Sequence, residues 1–179
     1  MTRMVIAAAI LLAWVPVSAE IVKRANTCET GMCLHWWPKL PSVEGWHQEL
    51  QASDANGMDI IAPDGFTFSN AQTVIYAKAP YKPRIPATKS LYDLIEGDKR
   101  DFRAEGTNVV IADAPAISTA DGQKLRSLTY APSGQGNWER VAYGEEGDFY
   151  LIFVISSRSE SDLKASMPVF EAVLSKYKK

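Results

Sequence analysis

Histidine and cysteine each occur only twice in the 179 residues. So few imidazoles and thiols leave little room for a multi-ligand metal site or a cysteine–histidine nucleophile pair. No Gly-x-Ser-x-Gly elbow occurs, and no Lys-Ser/Thr follows the glycines of Ser133-Gly134-Gln135-Gly136, so neither an esterase-type serine nor a phosphate loop is present. Neither sign of charge is in excess: the formal net charge is −2, which gives no reason to expect nucleic acid as a partner. Beyond the N-terminus the longest apolar run is residues 149–155, "FYLIFVI", the length of a buried strand rather than of a bilayer span. Internal repeats and low-complexity tracts are absent as well.

What is present begins with an export pattern. Arg3 precedes an uncharged apolar run at residues 5–15, Pro16 breaks it, and Val17-Ser18-Ala19 supplies small residues. The run is too short to span a bilayer as a helix. The expectation is a signal peptide at residues 1–19 cleaved after Ala19, a periplasmic protein, and a mature chain with no transmembrane segment. Residues 20–44 read as an N-terminal extension, and residues 45–179 as one domain long enough to bury a sizeable core.

Within that domain strands alternate with two helical segments. Residues 46–53, 57–63 and 73–79 read as strands, the second closed by the turn signal Pro63-Asp64-Gly65. The proline-rich residues 80–89 read as an extended loop. A helix is expected from Ser90, with Ser90 and Asp93 at capping-box spacing and Gly106 able to end it. Its stripe is Leu91, Leu94, Ile95, Asp98 and Phe102, in which Asp98 alone is polar. Glu96 and Arg100 are spaced for an exposed ion pair.

Strands follow at residues 109–119, 123–131, 138–143 and 149–156. The last is apolar at nearly every position and is expected at the centre of the sheet, covered on both faces. Residues 160–177 form an amphipathic helix that Ser159 or Ser161 can cap and that Pro168 should kink or restart. The fold class expected is α+β: an antiparallel sheet with helices packed on both faces, an α/β/α sandwich.

This order of elements resembles the PsbP-like family over roughly residues 46–178. The resemblance rests on Ala62-Pro63-Asp64-Gly65-Phe66, on a helix after the Pro-rich loop, on "FYLIFVISS" and on "MPVFEAVLSKYK". It implies the α/β/α sandwich and a role as adaptor or assembly factor, as in bacterial DcrB-like periplasmic members. The family has no common catalytic residues to carry over, and the cysteine-containing segment lies outside the resemblance.

The stretch "TCETGMCLHWWP", residues 27–38, holds both cysteines. Its spacing departs from the Cys-x-x-Cys-His of covalent haem and from a thiol oxidoreductase motif. An oxidising compartment favours a Cys28–Cys33 disulfide, worth roughly 2 kcal/mol for so short a loop. A zinc site joining both cysteines to His35 and His47 is the alternative. Trp36 and Trp37 follow on an extended, proline-flanked segment, where adjacent side chains point to opposite sides. One can pack on the domain while the other meets a partner. Lys82 and Arg84 in the Pro-rich loop could face an acidic protein or a phosphate-bearing lipid. Asp98 and Asp101 read as solvent-facing or capping residues. No catalytic residue, metal ligand or cofactor is assigned. The function expected is a non-enzymatic binding or assembly module of the cell envelope with a protein or lipid partner. The alternative is a small hydrolase or metal-dependent enzyme whose site joins residues distant in sequence.

Overall fold

A computed structural model describes residues 21–28, 31–105, 109–134 and 136–178; the side chains of Cys28 and Glu105 lie outside that set. The expected signal at residues 1–19, and with it the cleavage site, falls outside the described residues, as does Gly106.

The chain opens with a hairpin of β1 (Ile21–Cys28) and β2 (Gly31–Pro38), which form a two-stranded sheet of their own. Then come β3 (Trp46–Gln48), α1 (Leu50–Asn56), β4 (Asp59–Pro63), β5 (Thr73–Lys78), a 3-10 turn at Lys82–Arg84, and α2 (Leu91–Glu105). The second half contains β6 (Val110–Ser118), β7 (Lys124–Ala131), β8 (Trp138–Glu146), β9 (Phe149–Ser157) and α3 (Glu160–Lys176). The seven-stranded sheet has the order β3-β4-β5-β9-β8-β7-β6, and every neighbouring pair is antiparallel.

β9 is the central strand, and its alternation divides the interior. Leu151, Phe153 and Ile155 join Ile75, Ala77 and Ala142 beneath Leu163, Phe170, Val173 and Leu174 of α3. Ile152 and Val154 join Val141, Tyr143, Leu128 and Tyr130 beside Ile95 of α2. One apolar strand therefore feeds both sides of the sheet. Edge strand β6 carries a bulge between Ala114 and Ile117. The extra residue shifts the alternation, so Ile111 packs on the α2 side and Ile117 on the α3 side. Pro115 sits in that bulge, where an edge strand tolerates it. Its carbonyl accepts from the Arg140 guanidinium at 2.7 Å.

The α/β/α sandwich is corrected by this architecture. The chain is mostly β, with nine strands in two antiparallel sheets against three helices among the described residues, and no helical layer covers either face. The α3 side is closed jointly by one helix and by the hairpin and its following loop, through Trp36, Leu40 and Val43. On the other side α2 buries Ile95 fully, while Leu91, Leu94 and Phe102 are only partly covered. The reason lies in the stripe: a carboxylate at Asp98 opposes closing that helix onto apolar strands.

Locally, the strand expected at residues 46–53 stops at Gln48 and gives way to α1. Gly57 ends α1 in the left-handed region at φ 66°, and a Cβ there would clash with the His35 ring. The helix from Ser90 forms as expected: Ser90 Oγ accepts from Asp93 N at 3.2 Å, and the Asp93 carboxylate accepts from Lys89 N at 3.0 Å. Glu96 pairs with Lys99 at 2.8 Å rather than with Arg100. Ser159 caps α3 by accepting from Asp162 N at 3.1 Å, and the helix continues through exposed Pro168 without a restart.

Candidate functional site

The residues proposed from sequence as a partner surface separate. Trp37 is 4% exposed and belongs to the interior. Trp36 is half-buried, with its ring centroid 5.3 Å from Tyr81 and 6.3 Å from Phe149. The Tyr81 and Phe149 rings are 5.2 Å apart, and the two residues form an isolated β-bridge. Arg84 lies 4.9 Å over the Trp36 ring, and Lys23 lies 5.9 Å from it. Lys82 is occupied structurally: its Nζ donates to the Gly147 carbonyl at 2.9 Å and pairs with Glu145 at 3.3 Å. Trp36, Lys82 and Arg84 thus gather around the start of β9, and Trp37 does not.

The hairpin register sets Cys28 against Gly31 and Asn26 against Cys33. His47 is held elsewhere, with one ring nitrogen 2.9 Å from Glu49 and the other 3.4 Å from Asp64. Among the described residues no group of three or more His, Cys, Asp and Glu side chains could hold a metal ion.

A different site lies on the α2 side of the sheet. Between the C-terminal half of α2 and strands β5, β9, β8 and β7 runs an open cleft of about 420 Å³, within the range of small-molecule sites. Its floor is apolar, from Val141, Ile152 and Val154; Tyr76, Phe102, Tyr130 and Tyr143 supply aromatic walls; Lys78, Asp98, Asp101, Asn137 and Glu139 supply polarity. Cross-strand pairing puts these residues together: Tyr76 faces Val154 across β5 and β9, and Val154 faces Val141 across β9 and β8. Phe102 meets Tyr130 edge-on at 4.9 Å.

At the core of the cleft is a chain of three polar groups. The Tyr130 and Tyr143 hydroxyls are 2.7 Å apart, and the Asp98 carboxylate lies next to Tyr143, close enough for the two to interact electrostatically. Burial pushes the Asp98 carboxyl above the ordinary aspartate range, against the neighbouring Tyr143 hydroxyl and the attraction of Lys78; neighbouring Asp101 adds to the rise. Burial likewise pushes Tyr130 up to about 12, and drives Tyr143 upward with the Asp98 charge second. The two tyrosines therefore stay neutral, while Asp98 is the titrating member.

Sequence reasoning placed Asp98 and Asp101 in solvent or at a cap; in the structure Asp101 is exposed, while Asp98 is half-buried on the cleft wall. The available signal was its position as the single polar residue in an apolar stripe. Tyr130 and Tyr143 carried no comparable signal, because alternation alone places a tyrosine on a face without showing what its hydroxyl meets. Compared with known proteins, the chain matches no family model and no curated protein sequence.

Proposed function

We propose that this chain is an exported, non-enzymatic binding module of the cell envelope that holds a small ligand in the cleft between α2 and the sheet. The observation that carries the reading is the Asp98–Tyr143–Tyr130 chain set into an open, aromatic-walled cleft of about 420 Å³. Buried polar groups cost stability unless they are paired or used. The resemblance to PsbP-like adaptors and the signal-like N-terminus support the same reading. The hairpin is read as stapled by a Cys28–Cys33 disulfide, supported by a backbone register that sets Cys28 and Cys33 two positions apart across the strands.

A fragment screen monitored by thermal shift on the wild type and on Asp98→Asn tests the cleft. Ligands that raise the wild-type midpoint and lose that effect in the variant support the reading; a library with no such ligand sinks it. Intact-mass measurement on the periplasmic fraction tests export, and non-reducing peptide mapping tests the staple.

One observation favours a second reading, a small hydrolase. A carboxyl raised by burial, in a polar pocket drawn from residues distant in sequence, is the arrangement of a general acid. Turnover of ester, glycoside or phosphoester substrates that disappears in Asp98→Asn would establish it over the binding module.

A further inference from the structure

We infer that the ligand of this cleft is a small organic ammonium ion, a primary or secondary amine on an apolar or aromatic body; the inference rests on the binding reading above. Hydrogen-bond bookkeeping leads there first. Ionised Asp98 can only accept, and its charge beside Tyr143 draws the single Tyr143 proton toward it. Tyr130 then donates its own proton to the Tyr143 oxygen at 2.7 Å. Both hydroxyl protons are spent inside the chain, and what the chain offers a ligand is acceptor lone pairs.

Charge and shape point the same way. Among the described lining residues, Asp98 and Asp101 stand against the single cation Lys78, which lies 5.7 Å from the Tyr76 ring. Aromatic faces beside carboxylates suit an ammonium head carrying an apolar body. A bare metal ion does not fit, because these carboxylates do not converge into a metal-holding group among the described residues. Carboxylate and phosphate ligands would meet accepting oxygens and a surplus of negative charge.

The test uses three matched probes, phenethylamine, phenylethanol and hydrocinnamate, titrated into the full chain by calorimetry and followed by NMR. The amine should bind at least about tenfold more tightly than the alcohol or the carboxylate, a difference of ~1.4 kcal/mol. Asp98→Asn and Tyr130→Phe should each weaken the amine by about tenfold or more, the scale of a lost charge-assisted contact. Arg84→Ala, at the separate Trp36 surface, should leave it unchanged. Variant spectra matching wild type exclude misfolding, and Asp101→Asn, at the solvent-facing rim of the cleft, gives a second reading of the charge effect. If the alcohol or carboxylate binds equally well and Asp98→Asn abolishes it, the ammonium assignment falls while the cleft remains a binding site. If no probe binds but the fragment screen yields Asp98-dependent neutral or anionic ligands, the assignment falls in the same way. A screen with no Asp98-dependent ligand removes both.

Discussion

The two faces of the sheet are made from the same strands and end differently. On the α3 side, four apolar residues of one helix are buried together with Tyr177, whose ring meets Phe153 edge-on at 5.0 Å. On the α2 side, a helix of similar length buries Ile95 and leaves the rest of its stripe partly open. The strands do not make the difference, since β9 gives Leu151, Phe153 and Ile155 to one face and Ile152 and Val154 to the other. The helices make it. A carboxylate in the middle of an apolar stripe keeps water within reach, and tyrosines replace aliphatic residues opposite it. Packing on one face supplies the stability, and the other face is free to carry polar chemistry.

The widest gap between the faces should appear in Phe170→Ala. Phe170 is 0% exposed, and deleting a buried phenyl group costs about 3–5 kcal/mol by denaturant unfolding. A loss under about 1 kcal/mol would remove the distinction drawn here.

The burial difference within the hairpin is read from its two tryptophans. Trp37→Ala should cost about 3 kcal/mol or more, and half-buried Trp36→Ala clearly less in the same unfolding experiment. Equal losses would mean that the Trp36 ring is core rather than surface.

On the open side, Tyr143→Phe removes the hydroxyl that meets both Tyr130 and the half-buried Asp98 carboxylate, and should cost about 1–3 kcal/mol. Unfolding of Asp98→Asn, Tyr143→Phe and the double variant should show coupling between the two positions. Strict additivity would break the chain as a unit.

The smallest effect is a pH dependence. The folded Asp98 carboxyl sits above its unfolded value of 3.8, so its contribution is fully present below that value and is lost as pH rises through the folded one. The groups that face it are Lys78 and Tyr76 of β5, Asp101 of α2, Tyr130 of β7, and Glu139 and Tyr143 of β8. Wild-type stability relative to Asp98→Asn should fall over that window and then level off. Buried Asp59, which accepts from Leu40 N at 2.6 Å and is raised chiefly by burial, acts in the same direction in both proteins and cancels from the difference. A flat difference curve would place Asp98 in open solvent.

Much of this was legible in the sequence. The β9 run named the central strand because only a strand buried on both sides can afford uninterrupted apolar residues. Ser90, Asp93 and Ser159 named helix starts because capping is a local interaction. α1 was not legible, since its seven residues lie between two strands and its burial is set by β1 and β4. The sandwich was misjudged because two amphipathic helices do not show how much of a sheet they cover. The cleft escaped because its partners are joined by strand register, with Asp98 and Tyr143 brought together by a contact between α2 and β8. Trp36 and Trp37 were read as facing opposite ways, and half-buried Trp36 against buried Trp37 matches that alternation; which of the two would be buried required the fold.

The position of β9 also bears on when the protein can take shape. β3, β4 and β5 form one antiparallel group, β6, β7 and β8 another, and the two groups touch in the sheet only through β9. That strand comes after both groups in the chain. During synthesis from the N-terminus, the two groups cannot be joined until β9 emerges, so the long-range pairing of β5 is deferred to that point. A nascent chain interrupted before Phe149 presents two bare edges, β5 and β8, rich in apolar side chains and ready to pair with other copies. Joining the two groups into one sheet therefore waits on β9.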